Sequence, residues 1–190
     1  MKKESKTKRL IIVHDWEGNP EEGWFPWLKK EMEENGWEVL VPAMPEPDHP
    51  IMDSWLAHLI RVAGGVDENT FLVGHSLGCI TILRFLENLP SERKIGGAVL
   101  VAGFDNPLKY GALKNFFEAP IVWRKIRDRC KKFVSIHSQD DPYVPADNGE
   151  RFKLNLKAQE IFVDGFRHFS GENGTYELPL VRDELLKISR

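Results

Sequence analysis

Cysteine is nearly absent from this chain: among 190 residues only Cys79 and Cys130 occur. Two thiols build no disulfide framework, so a reducing cytoplasm is the expected compartment. An excess of positive charge is also missing. Lys and Arg number 26 against 29 Asp and Glu, a net charge of -3, and that balance gives no support to a nucleic-acid surface. No apolar run approaches the length of a membrane span. Lys2, Lys3, Lys6 and Lys8 imitate the basic start of a secretory leader, but His14 and Asp15 interrupt the apolar block 10–13 that follows. A cleaved signal is therefore not expected, and residues 1–8 read as a frayed tail. Spacings of the H-x-x-E-H or H-E-x-x-H kind are absent, which leaves little for a metal site built on His14, Asp15, His49 and His168. Repeats, low-complexity tracts and linkers are lacking too, so a single domain over residues 1–190 is expected.

What is present is an ordinary globular composition, 42% hydrophobic and 29% charged, in a chain long enough to bury a real core. Residues 9–15 contain Leu10-Ile11-Ile12-Val13 and read as a central strand buried on both faces. Further strands are expected at 37–41, 70–73, 97–102, 132–136 and 158–163. Between them, helical spacing appears in Trp24, Phe25, Trp27, Leu28 and Met32, ending at Asn35-Gly36, and in 53–62, where Trp55, Leu59 and Val62 share a face with Ile51. Helices are also expected from the third strand to about Leu89, over 146–156, and from Pro179 towards Ile188. Residues 104–129 hold no strand pattern and fit two short helices joined by a bend, too little chain for a large lid. Strand and helix alternate throughout, which predicts a three-layer α/β/α sandwich around a mostly parallel six-stranded sheet.

The stretch with chemical meaning is Gly74-His75-Ser76-Leu77-Gly78, directly after the third strand and before an apolar helix. In that context a G-x-S-x-G pentapeptide forces the serine into a strained turn, so its hydroxyl projects above the sheet edge. The glycines are needed because strand and helix approach too closely there for side chains. Ser76 is thus the candidate nucleophile, and it requires a base. His75 is beside Ser76 in the turn and should point elsewhere, and His137 falls in or at the end of a strand. His49 and His58 precede the serine, against the order nucleophile, acid, histidine that accompanies this motif. His168, in Asp164-Gly165-Phe166-Arg167-His168-Phe169 after the sixth strand, remains. Loops at the carboxyl ends of parallel strands meet on one rim, which can carry it to Ser76.

The acid should follow the fifth strand, where Asp140 and Asp141 both stand. Asp141 is preferred because its D-x-x-V-P context resembles the acid loop of many α/β hydrolases, leaving Asp140 as a turn residue. Two donors are expected for a developing oxyanion: the backbone N–H of Leu77, at the helix start, and that of Trp16, in the loop after the first strand. That loop usually carries His-Gly and here carries His14-Asp15, whose carboxylate could repel anionic substrates. Trp24 could approach the pocket, while Tyr110, Phe116, Phe117 and Trp123 suggest an apolar acyl or leaving group. Cys79 reads as a small packing residue.

Several segments together resemble the small serine hydrolases related to retinoblastoma-binding protein 9. They are the Ser76 elbow, the His-Asp-Trp loop, Trp24-Phe-Pro-Trp27-Leu-Lys-Lys, Asp53-Ser-Trp55, Pro120-x-x-Trp123-x-Lys125-Ile126, the Asp-Asp-Pro loop and Gly165-Phe-Arg-His168. The resemblance implies a minimal α/β-hydrolase fold with a Ser-Asp-His triad, no metal and no organic cofactor. The L-x-C-x-E segment of the namesake is missing, since Leu77-Gly-Cys79-Ile-Thr81 lacks the glutamate, and that partner is not carried over. The expected activity is cleavage of a small-molecule ester or amide through an acyl-enzyme, by a monomer or weak homodimer without membrane or nucleic-acid partners. A thioesterase or acyltransferase would use the same residues. The competing reading is a hydrolase-fold binding protein without meaningful turnover.

Overall fold

The computed structural model describes residues 7–190. Its strands are β1 (Arg9–Val13), β2 (Glu38–Leu40), β3 (Thr70–His75), β4 (Gly97–Val101), β5 (Phe133–Ser138) and β6 (Gln159–Val163). Between them run the helices α1 (Phe25–Glu34), α2 (Met52–Ala63), α3 (Leu77–Asn88), α4 (Trp123–Asp128), α5 (Asn148–Leu156) and α6 (Pro179–Ile188). The expected elements are all there, with ends displaced by a residue or two. β1 stops at Val13 rather than at 15, and β5 runs on to Ser138, whose Cα partner is Val163 of β6. Most of the expected tail lies outside the described residues. Lys8 is fixed, however: its carbonyl accepts the Glu38 N–H at 2.9 Å and its ammonium sits 5.4 Å from the Trp37 ring.

The strands pair in the order β2-β1-β3-β4-β5-β6, and every pairing is parallel. The chain steps from β1 to β2 on one side, then crosses back to build the rest of the sheet on the other. Loops leaving the carboxyl ends of β1 and β3 therefore diverge, and a crevice opens between them.

Alternation along the strands divides the core in two. Ile11 and Val13 face α2, α3, α4 and α5, where Trp55, Leu59, Ile80, Leu83, Ile126, Phe152 and Leu156 are buried. Leu10 and Ile12 face α1 and α6, which contribute Phe25, Leu28, Met32, Val181 and Leu185. Burial on both faces accounts for the unbroken apolar runs of β1, β3 and β4. This is the three-layer α/β-hydrolase architecture.

The stretch between β4 and β5 holds a 3-10 helix, Gly111–Phe117, and then α4, and no lid domain. A buried cation organises it. Arg84 of α3 is 4% exposed, pairs with Glu87 at 2.8 Å, and donates to the Phe116 carbonyl through Nε (3.1 Å) and Nη2 (2.9 Å). A charge so deeply placed stays only because it is paired and hydrogen-bonded, and in meeting that need it clamps the segment onto α3. Among the described residues no helix is long and apolar enough to cross a membrane.

Candidate active site

At the end of β3 the chain turns sharply into α3, and Ser76 takes the strain, with φ 51° and ψ -113°. A non-glycine residue adopts that conformation only when its surroundings impose it. The imposition is visible. A Cβ on Gly78 would lie 2.1 Å from the Val13 carbonyl oxygen, and one on Gly74 would lie 2.8 Å from the Cys79 nitrogen. The Ser76 N–H is anchored to the Val101 carbonyl at 2.9 Å, which leaves the hydroxyl directed to the rim. Cys79 is fully buried behind the turn, its thiol donating to the Gly74 carbonyl, and burial raises its pKa.

His168 reaches Ser76 from the loop after β6. Its neighbours Arg167 (φ 48°) and Phe169 (φ 56°) are both left-handed, which folds the loop tightly, and Phe169 is fully buried as its anchor. His168 Nε2 stands 3.0 Å from Ser76 Oγ, and Nδ1 stands 2.8 Å from Asp141 Oδ2. The carboxylate accepts only, so Nδ1 carries the proton and Nε2 is free to accept the serine hydroxyl's. Asp141's other oxygen takes the N–H groups of Tyr143 (2.9 Å) and Val144 (3.0 Å), and its side chain is 2% exposed. The structure thus brings Ser76, His168 and Asp141 into one hydrogen-bonded line.

Asp140 does more than make a turn. Its Oδ1 accepts from the Ser138 hydroxyl and from the N–H groups of Gly165 (3.1 Å) and Arg167 (3.0 Å), so it ties the loop after β5 to the loop after β6. It makes no contact with His168 Nδ1, which belongs to Asp141.

The Leu77 N–H opens α3 and the Trp16 N–H follows β1. Neither donates to a protein acceptor among the described residues, so both remain available to a bound oxygen. His14 braces the second of these. Its Nδ1–H donates to the Asp15 carbonyl (2.8 Å) and its Nε2 accepts the Met44 N–H (2.9 Å), while burial lowers its pKa.

Sequence reasoning missed one pairing. His75 does turn away from the serine, but it turns towards the site's underside: Nε2–H donates to the His168 carbonyl at 2.7 Å, and Nδ1 lies 3.5 Å from Asp15 Oδ1. Burial opposes charge on both groups, yet each counters it for the other. His75 is raised above the ordinary imidazole value and Asp15 is held below the ordinary carboxyl value. Asp15 thus has a second role beside the cavity it lines, as the partner of His75. The available signal was the coincidence of two charges, an aspartate where that loop ordinarily carries glycine and a histidine directly before Ser76.

A cavity of about 360 Å³ opens over Ser76. Phe104, Leu108, Tyr110, Leu113 and Val144 form an apolar wall, and Glu17, Glu22 and Glu172 an acidic one, with no Lys or Arg lining it among the described residues. Burial, then Asp15 and Glu172, raises the Glu22 pKa. Tyr143 stands edge-on to His168, ring centres 5.2 Å apart. Of the four aromatics expected near the pocket only Tyr110 lines it. Phe116 is buried against Trp55, Phe117 packs on Phe104 and Trp123 on Phe152. Trp24 is a core residue as well, its indole N–H donating to the Phe169 carbonyl at 2.9 Å. The four residues weighed for a metal do not come together: among the described residues no group of three or more His, Cys, Asp or Glu is arranged to hold one.

Comparison with known proteins identifies a family and a fold. A family model described as serine hydrolase matches residues 10–187. YdeN of Bacillus subtilis is 36% identical over 180 residues, covering 94% of this chain and 95% of YdeN. The crystal structure of that gene product superposes with a TM-score of 0.92, covering 96% of this chain and 98% of the other. Serine hydrolase RBBP9 of Rattus norvegicus is 28% identical over 169 residues, 87% of this chain and 88% of the relative. Est1E from Butyrivibrio proteoclasticus, at 17% identity and a TM-score of 0.74, with 96% and 88% of the two chains covered, shares the fold.

Proposed function

The chain belongs to the serine hydrolase family, and on that premise we propose that it cleaves a carboxylic ester or amide through an acyl-enzyme intermediate, with Ser76 as nucleophile, His168 as general base and Asp141 as the orienting acid. The observation that carries the reading is the line from Ser76 Oγ to His168 Nε2 (3.0 Å) and from His168 Nδ1 to Asp141 Oδ2 (2.8 Å).

In the first half-reaction Ser76 Oγ attacks the substrate carbonyl carbon and passes its proton to His168 Nε2. Asp141 stabilises the imidazolium so formed without taking its proton. The carbonyl oxygen, now negative, receives the N–H groups of Leu77 and Trp16; a donor of this kind contributes about 3 kcal/mol to the transition state. His168 then returns the proton to the departing alcohol or amine, leaving Ser76 acylated. Water follows the same route in the second half: His168 removes its proton, the oxyanion re-forms and collapses, and His168 returns the proton to Ser76 Oγ as the acyl bond breaks and the carboxylic acid leaves.

The cavity supports a substrate with an apolar acyl group against Phe104, Leu108 and Leu113, and a leaving group that is neutral or cationic beside Glu17, Glu22 and Glu172. The test is labelling by a fluorophosphonate, which phosphonylates an activated serine. The wild type is expected to label rapidly and Ser76→Ala not at all. A folded wild type that does not label would leave a binding function on this fold as the account of the chain.

A further inference from the structure

His75 occupies a position with two acceptors around it. Its Nε2 lies 2.7 Å from the His168 carbonyl oxygen and its Nδ1 lies 3.5 Å from Asp15 Oδ1, on a side chain that is 2% exposed. A carbonyl and a carboxylate only accept, so the ring satisfies both sides only with a proton on each nitrogen. Its remaining ring contacts are the His168 imidazole at 5.0 Å, Trp24 at 6.0 Å and an angle of 68°, and Phe25 at 6.0 Å and 59°.

We infer that Asp15 and His75 are positioning residues: their ion pair holds the main-chain carbonyl of His168 and so sets that histidine against Ser76 from the side opposite Asp141. The inference rests on the reading of Ser76 and His168 given above. Three separate segments meet in this contact, the loop after β1 that carries Asp15, the end of β3 that carries His75, and the loop after β6 that carries His168. Asp141 fixes the imidazole of His168 through Nδ1, and His75 fixes its backbone. With both ends held, the residue has little freedom to leave hydrogen-bonding distance of the serine.

The Asp15 end is built for the purpose. A Cβ on Gly18 would lie 2.3 Å from Asp15 Oδ1, so the loop gives up a side chain at 18 to let the carboxylate fold back. Residue 15 has its own carbonyl pinned by His14 Nδ1–H (2.8 Å) and by the Gly18 N–H (3.3 Å). The next amide along is that of Trp16, so one residue pairs with His75 through its carboxylate and, through its pinned carbonyl, holds the peptide bond of the second oxyanion donor.

The titratable groups around His75 come from every loop packed against it. They are His14 and Asp15 after β1, Glu22 before α1, Asp141 after β5 and His168 after β6. The three carboxylates favour its cation; His14 and His168 oppose it only when they are themselves protonated. In keeping with this, His75 is shifted in the direction that preserves the charge.

The inference is tested on the wild type first. Nitrogen-15 NMR of the imidazoles through a pH titration should show both nitrogens of His75 protonated to a higher pH in the wild type than in Asp15→Asn. A wild-type His75 that loses its second proton at the same pH as in Asp15→Asn overturns the inference. Ester kinetics supply the second arm. His75→Phe keeps the ring and removes the donor, and it should lower kcat by about 100-fold while KM changes by less than about 2-fold. His75→Gln retains an N–H for the His168 carbonyl and should recover about tenfold of that loss. A folded His75→Phe within about 2-fold of wild-type kcat, or a His75→Gln variant no faster than His75→Phe, counts equally against the inference. Should His75→Phe not fold, the titration and His75→Gln decide the matter. Retention of full turnover by Ser76→Ala would instead sink the catalytic reading itself, while the spectrum of His75 would stand.

Discussion

His168 Nε2 and Ser76 Oγ are 3.0 Å apart although 92 residues separate them in the chain. The contact depends on two sharp turns, one at the end of β3 and one after β6, and on a carboxylate that reaches His168 from a third loop. Each dependence yields an expected outcome.

Asp141→Asn should keep the fold and lose the chemistry. An amide can present its NH2 to Nδ1 and so stabilise the imidazole tautomer with the proton on Nε2, facing the serine. A kcat loss of about 10³- to 10⁴-fold is expected. Asp140→Ala breaks only the ties to Ser138, Gly165 and Arg167, so its kcat should stay within about tenfold of wild type. Steady-state kinetics of the two variants side by side will tell the acids apart.

Gly78→Ala tests the elbow. The new methyl would meet the Val13 carbonyl oxygen at 2.1 Å, against backbone of the central strand that cannot yield. Destabilisation of at least about 3 kcal/mol is expected by urea denaturation. Gly36→Ala has open space for its methyl and pays only for its positive φ, so its loss should be smaller, about 1 kcal/mol.

His137 makes the protein sensitive to acid. Both its ring nitrogens are buried without partners in β5, and burial lowers its pKa to about 4. The folded value lies below the unfolded 6.5, so the unfolded state binds more protons between those values. The stabilisation is fully present above about pH 6.5 and is lost as pH falls towards 4. Between pH 7 and 4.5 this one group should remove about 2 kcal/mol. His137→Gln cannot titrate, and its urea midpoint should fall correspondingly less over the same interval.

Charge on the cavity wall should select among esters. Glu17, Glu22 and Glu172 line the cavity with no Lys or Arg beside them among the described residues, and on the proposed orientation kcat/KM for a choline ester should exceed that for an equally long ester ending in a carboxylate. Glu22→Gln combined with Glu172→Gln should narrow the difference by several-fold, and added salt should narrow it in the wild type too. An unchanged preference in the double variant would remove the wall from the account.

The sheet, its two covered faces and the central line of the site were legible in the sequence because each leaves a local mark. Continuous apolar runs identified the buried strands, the glycines around Ser76 identified a turn without room for side chains, and His168 and Asp141 each follow a strand on the rim. The partnership of Asp15 with His75 left two separate marks that nothing in the sequence joins, since the residues stand 60 positions apart and meet through a single ion pair. Nor could the aromatics of 104–129 be sorted in advance. Their orientation is set by Arg84, which draws the segment onto α3 and turns Phe116 into the core. Tyr143, edge-on to His168, was hidden because the loop that carries it takes its shape from the folded site, where the Tyr143 main-chain N–H bonds Asp141.

The most direct measurement is hydrolysis of p-nitrophenyl esters from acetate to octanoate by the wild type and by Ser76→Ala in parallel. Turnover by the wild type, with a rate in Ser76→Ala lower by about 10³-fold or more, is the predicted result. Equal rates in the two proteins, or a folded wild type that cleaves none of the esters, would contradict the assignment of Ser76 as nucleophile.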